Sequence, residues 1–196
     1  PTPIRANRVG QLLRKMFNLA VSWEWREDNP AAGFRMRIEN SRERFLSHEE
    51  LARLATALDH AEDQRAAGII RMCMLTGARV GEVRTARFEH FNLDYGSWAK
   101  PADTTKQRKV HRIPISADVA TIVRQRKLVV PKGSPWLFPG DTPGQPVKEI
   151  RRFWRNTQRE AEIPDVRIHD LRHTFASLLV SGGASLEMVE RLLSHS

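Results

Sequence analysis

Apolar residues recur at three- and four-residue spacing along most of this chain, and over residues 87–115 the pattern changes to one typical of strands. The three- and four-residue spacing is typical of helices that bury one face. Residues 87–115 carry Phe88, Trp98 and the apolar segment Val110–Ile115, with a turn signal at Tyr95-Gly96. These features predict a small antiparallel sheet. The fold class predicted is therefore mainly α with a small antiparallel β-sheet (α+β).

Local signals predict where the helices begin and end. Ser47 and Glu50 have the spacing of a capping box, and Gly77 follows an apolar helical pattern. Asn29-Pro30 ends the first pattern, because the residue before proline avoids the α region. The predicted helices are 7–27, one beginning at Ser47, 64–76, Arg79–Thr85, 117–129, 147–162, 169–181 and 185–194.

The domain organisation follows from length and from one polar stretch. A chain of 196 residues is expected to form one domain, or one domain and a fragment of another. Residues 28–44 have a proline, a glycine, alternating charge and no apolar period, which predicts an interdomain linker. Because one helix cannot bury its apolar face alone, we expect residues 1–27 to end a truncated helical domain and 45–196 to form a second domain.

Composition and missing motifs exclude several classes of protein. No apolar run approaches the ~18 residues of a membrane span. A single cysteine, Cys73, excludes disulfide scaffolds and cysteine-built zinc sites and favours a reducing cytoplasm. There is no P-loop, no dinucleotide glycine motif and no metal-ligand spacing of histidines, so we expect neither cofactor nor metal. The net charge of +9 points to a polyanionic partner, most often nucleic acid; from charge alone, a solvated basic surface is an equal alternative.

Two motifs that could bind an anion lie before residue 115. In Thr76–Glu82, Gly77 permits a sharp turn, and Arg79 would stand at a helix N-terminus, where an arginine is unfavourable unless an anion joins it. Glu82 could hold that guanidinium; taken alone, the motif favours a simple surface Arg–Glu pair. The basic hairpin Lys106–Lys109, flanked by Lys100 and Arg112, could reach over a phosphate backbone or be a solvated turn.

Two more motifs lie near the end of the chain. On a helix, His169 and Arg172 share a face, apart from the apolar stripe, which would be Leu171, Phe175, Leu178 and Leu179. Alone, this is an exposed polar face, and His195 is a dipole partner of the last helix. Together, two arginines, two histidines and a lysine are suited to metal-free phosphoryl transfer, because they can grip a phosphodiester and move protons.

These motifs resemble those of the tyrosine recombinases, also called phage integrases, over nearly the whole chain. Thr76–Glu82 is similar to the first arginine box, Thr105–Ile115 to the lysine hairpin, His169–Ser177 to the second box and Leu192–Ser196 to the final histidine motif. The resemblance implies the fold of that family's catalytic domain. It also implies that residues 1–27 are the last helix of the core-binding domain that clamps DNA.

The resemblance implies a role at each matching position. Arg79 and Arg172 would bind the scissile phosphate, and Lys106 would protonate the 5′-hydroxyl leaving group. His169 would assist proton transfer, His195 would hydrogen-bond the phosphate, and Glu82 would brace Arg79. The partners implied are double-stranded DNA and, in the full-length protein, further copies in a synaptic tetramer. Candidate contacts to the DNA backbone are Arg108, Lys109, Arg151, Arg152 and Arg155.

Two positions depart from the family's pattern. Ser194 stands where glycine is usual, and the nucleophilic tyrosine is expected within about ten residues after His195, whereas the sequence ends at Ser196. Tyr95 lies in the predicted sheet turn. We therefore expect this chain to bind DNA without cutting it, as part of a site-specific integrase. The alternatives are a non-catalytic DNA-binding relative, such as a degraded prophage product, and a type IB topoisomerase relative, which the length and short hairpin fit less well.

Overall fold

The computed structural model describes residues 2–39, 43–102 and 110–193. The chain forms two compact units, Pro1–Glu43 and Arg44–Ser196. Most of the secondary structure, and the whole hydrophobic core, belongs to the second unit. Within the described residues, none of the helices is both long and apolar enough to cross a membrane.

Among the described residues of the first unit there is one helix, α1 (Pro3–Ser22). It begins and ends earlier than the predicted 7–27. A proline in the first turn is compatible with the start, since the backbone N–H it lacks has no partner there. Its end is set by Glu24, which adopts a left-handed backbone conformation (φ 59°), while the N–H of Trp25 donates to the carbonyl of Ala20 at 2.9 Å. The local stop therefore precedes Asn29-Pro30.

Part of the predicted linker packs on α1. The Asn7 side chain is buried, donates to the carbonyl of Arg37 at 2.7 Å and accepts from the N–H of Arg37 at 2.8 Å. The ring of Phe34 occupies the space that a side chain at Gly10 would need. Residues 34–39 thus belong to the first unit, because a buried asparagine satisfies their backbone and a glycine admits the ring.

The second unit has seven helices among its described residues. They are α2 (His48–Asp59), α3 (Gln64–Thr76), α4 (Val80–Arg84), α5 (Ala117–Val129), α6 (Arg151–Glu160), α7 (Ile168–Ser181) and α8 (Leu186–Leu193). The capping box is confirmed: Ser47 Oγ accepts from the N–H of Glu50 at 3.2 Å, and the Glu50 carboxylate accepts from the N–H of Ser47 at 2.9 Å. α6 starts later than predicted, because Val147 donates to the carbonyl of Phe138 (3.0 Å) outside the helix.

The predicted sheet is confirmed. In the part of the chain that the structure describes, it has three antiparallel strands in the order β1 (Phe91–Asn92), β2 (Ser97–Lys100) and β3 (His111–Pro114). Trp98 pairs with Phe91 on one side and Ile113 on the other, and its ring stacks on Phe91 at 5.2 Å. Side chains alternate along a strand, so Trp98 and Lys100 both face the interior.

The core is built around α3. This helix packs against α2, α4, α5 and α7. Ile69, Ile70 and Met72 are fully buried, as the apolar pattern on all sides of the helix predicts. The C-terminal end of α3 therefore lies where several elements meet, and the chain turns there into α4.

Candidate active site

Gly77 turns the chain sharply between α3 and α4. Its φ is 61°, in the left-handed region that glycine adopts at little cost, and its N–H donates to the carbonyl of Cys73 at 3.0 Å. A Cβ at this position would lie 2.5 Å from Phe175 Cδ1 and 2.6 Å from Leu193 Cδ2. The turn makes Arg79 the N-cap residue of α4.

Arg79 is held by a carboxylate one turn along α4. Its guanidinium donates to Glu82 Oε1 at 2.9 Å, and its backbone N–H donates to Glu82 Oε2 at 3.2 Å. The Glu82 side chain is only 5% exposed, whereas that of Arg79 is 35% exposed. The pair is thus buried at its carboxylate end and accessible at its guanidinium end. An anion can approach Arg79 but not Glu82.

Lys100 is a site residue that the sequence analysis named only as a flank of the hairpin. It ends β2, and its Nζ lies 3.0 Å from Glu82 Oε2 with its side chain 2% exposed. The alternation of β2, with Trp98 two residues earlier, was the signal that could have placed it in the interior. Glu82 therefore has a cation at each of its two oxygens.

Arg172 lies on α7 and is buried, at 2% exposure. Its guanidinium donates to the carbonyl of Gly77 at 2.8 Å and to the carbonyl of Leu193. These carbonyls stand at the C-terminal ends of α3 and α8. The last carbonyls of a helix have no partner inside it and carry partial negative charge, so a guanidinium between two such ends is well stabilised.

The predicted exposure of Arg172 is wrong. The helical pattern placed it off the buried stripe, and it placed Leu178 in the core, yet Leu178 is 42% exposed. α7 packs against both α3 and α8, so these neighbours cover more than one side of it. His169, in the first turn of α7, is exposed as predicted, and its ring contacts that of His173 edge-on at 5.0 Å.

The electrostatics of this cluster favour an anion. Burial and the charge of Arg79 lower the pKa of Arg172 to about 10, so Arg172 stays protonated at neutral pH. Burial raises the pKa of Glu82, but Lys100 and Arg79 outweigh burial and lower it overall. Three cations thus surround one carboxylate. Such a site can bind a phosphodiester and stabilise added negative charge on it.

The histidine pKa values also follow from burial and charge. Although the His169 side chain is exposed, surrounding protein atoms partly desolvate its imidazole and so lower its pKa. His173 and the two arginines lower it further, against a smaller opposing effect of Asp170. His169 is therefore neutral at neutral pH and able to accept a proton. His111 of β3, another residue that the sequence did not indicate, binds the carbonyl of Arg191 through Nε2 at 2.6 Å, and burial lowers its pKa.

The remaining candidates lie elsewhere. Arg151, Arg152 and Arg155 are exposed on α6, which packs against α2. The other four candidates are outside the described residues: Lys106, Arg108, Lys109 and His195. In the described ranges, no three histidine, cysteine, aspartate or glutamate side chains are grouped as metal ligands would be.

Comparison with known sequences shows the family. The model of the phage integrase family matches residues 44–196. The tyrosine recombinase XerD of Pasteurella multocida is 27% identical, over 96% of this chain and 67% of its own length. The integrase of Escherichia phage P2 is 30% identical, over 99% of this chain and 52% of its own. The chain thus spans about half to two thirds of the length of these curated relatives.

Solved structures share the fold. The Tn1549 transposon integrase, in complex with circular intermediate DNA, superimposes with a TM-score of 0.80 over 100% of this chain and 72% of that one, at 15% identity. A lambda integrase dimer bound to a core site superimposes with a TM-score of 0.75, over 99% of this chain and 72% of that one, at 17% identity. With the family model matching the whole second unit, the chain belongs to the phage integrase family of tyrosine recombinases.

Proposed function

We propose that this chain is the DNA-binding and catalytic core of a site-specific integrase. The observation that carries the proposal is the convergence of Arg79 and Arg172 beside the buried carboxylate of Glu82. Arg172 and Gly77, 95 positions apart in sequence, meet there, because the Arg172 guanidinium binds the carbonyl of the turn that presents Arg79. A phosphodiester is the anion that two guanidinium groups can grip through several oxygens at once.

The proposed reaction is strand cleavage through a 3′-phosphotyrosyl intermediate. A tyrosine oxygen attacks the phosphorus, the bond from phosphorus to the 5′-oxygen breaks, and that oxygen leaves as a hydroxyl. Arg79 and Arg172 stabilise the charge that grows on the phosphate oxygens. Lys106 gives the leaving oxygen its proton. His169, neutral at neutral pH, assists proton transfer by accepting the proton that the tyrosine hydroxyl loses, and His195 hydrogen-bonds the phosphate.

Double-stranded DNA is the proposed partner. The net charge of +9 supports this, and so do the integrases of the same fold that were solved bound to DNA. Contacts to the backbone are proposed for Arg108, Lys109, Arg151, Arg152 and Arg155. Self-association into a tetramer on DNA is proposed for the full-length protein.

The test compares this chain with the protein translated from the gene's full reading frame. Each is incubated with nicked duplexes of pooled random sequence, in which a short 5′-hydroxyl fragment diffuses away after cleavage. We expect the full-frame protein to form a protease-sensitive, SDS-resistant adduct at a DNA 3′ end. We expect the Arg79→Ala variant to form none. Duplex affinity of this chain should fall steeply with salt, because bound lysines and arginines release counterions.

The outcomes separate the candidate functions. Salt-dependent duplex binding with no adduct from the full-frame protein would favour a non-catalytic DNA-binding relative. Relaxation of supercoiled plasmid without recombination would favour a topoisomerase. Failure to bind any duplex would reject all three.

On the acidic side of the pH–rate profile (the acid limb), the cleavage rate should fall as His169 becomes protonated. Because its pKa is lowered, the imidazole stays neutral down to a pH below the ordinary value of about 6.5. At subsaturating DNA, which reports the free protein, the cleavage rate should stay level from pH 8 to about 6.5 and fall only below that. His169→Gln should lower the plateau by about 10²-fold and remove the limb.

The neighbouring histidine supplies the control. His173 lowers the pKa of His169, so His173→Gln should move the limb to higher pH and leave the plateau unchanged. A limb that persists unchanged in the His169→Gln variant would reject the proton-transfer role.

A further inference from the structure

Lys100 is a lysine on the buried face of a strand. Lysine is almost never fully buried unless it is paired. Here the pair is with Glu82, at 3.0 Å, and the ammonium also lies 5.0 Å from the centre of the Trp98 ring. The side chain is 2% exposed and its ammonium is paired with the Glu82 carboxylate, so the charge of Lys100 acts first on that carboxylate.

The partner that matters is Glu82, because Glu82 also holds Arg79. One carboxylate oxygen accepts from the Arg79 guanidinium at 2.9 Å, and the other accepts from the Arg79 N–H and from Lys100. A buried carboxylate paired with Arg79 alone would offset much of the positive charge that Arg79 itself offers to a phosphate. The second cation restores a net positive charge to the group of three.

We propose that Lys100 is a positioning residue, which acts through Glu82 to leave the charge of Arg79 available to the scissile phosphate. The proposal rests on the proposed function, since it assumes that Arg79 binds that phosphate. It assigns Lys100 a role separate from that of Lys106, the proposed proton donor. Lys100 keeps Glu82 ionised and satisfied, and it takes no part in proton transfer to the leaving group.

The groups around the pair fit this role. Glu82 is approached by Arg79 from α4, Arg172 from α7, His111 from β3 and Cys73 from α3. Among these neighbours the arginines are the fixed cations, and they repel the Lys100 ammonium while Glu82 attracts it. Removing the lysine therefore leaves the carboxylate with Arg79 as its one direct ion-pair partner among the described residues.

The test is a double-mutant comparison in the full-frame protein. Lys100→Met removes the charge and keeps much of the volume. The readouts are the single-turnover cleavage rate at saturating duplex, duplex affinity and the unfolding midpoint, with rates measured well below that midpoint. We expect Lys100→Met to lower the rate about 10- to 100-fold, with affinity within about threefold. Lys127→Met, at an exposed lysine of α5, is the matched control and should change the rate less than twofold.

Rescue distinguishes charge balance from simple packing. In Lys100→Met/Glu82→Gln, no carboxylate opposes Arg79, so the rate should rise at least tenfold above that of Lys100→Met. As the pH falls, the cleavage rate of Lys100→Met should also rise relative to that of the double variant. Without the lysine, burial raises the pKa of Glu82, and a protonated Glu82 no longer neutralises Arg79. A structural role alone would produce no such pH dependence.

The following outcomes would overturn the role proposed for Lys100. A wild-type rate in Lys100→Met, or a double variant as slow as the single one, would overturn the role of Lys100 while the proposed function stands. An equal loss in Lys127→Met would assign the effect to general electrostatics and overturn it too. If the wild-type full-frame protein forms no adduct, the proposed function fails and the inference fails with it.

Discussion

Replacing Arg172 with alanine should lower the cleavage rate of the full-frame protein by about 10³-fold and leave duplex affinity within about threefold. The guanidinium is buried beside the turn that presents Arg79, so it acts on one phosphate and adds little to the long contact with the DNA backbone. The measurement is a single-turnover rate at saturating duplex together with a binding titration. Unchanged cleavage would reject the role of Arg172.

Replacing Arg155 should have the opposite effect, on duplex affinity and not on the cleavage rate. It is exposed on α6 and proposed to contact the DNA backbone. Arg155→Ala should weaken duplex binding and reduce its salt dependence by about one counterion, with the rate at saturating DNA unchanged.

Arg172→Lys is a further control, because it keeps the charge and loses the planar fork that reaches the carbonyls of Gly77 and Leu193. The cleavage rate of Arg172→Lys should be nearly as low as that of Arg172→Ala.

The second large effect is on stability. Gly77→Ala should lower the free energy of unfolding by about 2–4 kcal/mol, measured by urea denaturation of this chain. Two causes add: a left-handed backbone is unfavourable for alanine, and the new Cβ would meet Phe175 and Leu193 at about 2.5 Å. Because Gly77 also binds Arg172 and precedes Arg79 by two residues, cleavage by the full-frame protein should fall as well.

Gly144 separates the two causes. Its φ of 74° is also left-handed, but nothing lies within 4 Å of a Cβ placed there. Gly144→Ala should therefore cost only the backbone strain, about 1–2 kcal/mol. Equal losses at Gly77 and Gly144 would show that the contacts with Phe175 and Leu193 contribute nothing.

Local chemistry in the sequence determined where most helices of the second unit begin and end. Ser47 with Glu50 caps α2 and Gly77 ends α3, as predicted, and Ser116 caps α5 in the same local way. A cap or a left-handed turn involves residues within four positions of one another, so a single sequence contains all of its parts. The Arg79–Glu82 contact is of the same kind, since residues three apart on a helix are neighbours.

The tertiary structure alone decided what these residues face. Arg172 is buried because the ends of α3 and α8 meet over α7, and Lys100 lies inside because β2 places it beside α4. The packing of residues 34–39 on α1 likewise depends on Asn7, 30 positions from its partner Arg37. Helical periodicity specifies one face of one element, whereas the burial of a charged side chain depends on how many neighbours cover it and on which partial charges they bring. The sequence therefore determined the elements and the motifs, and only their packing determined which cations share Glu82.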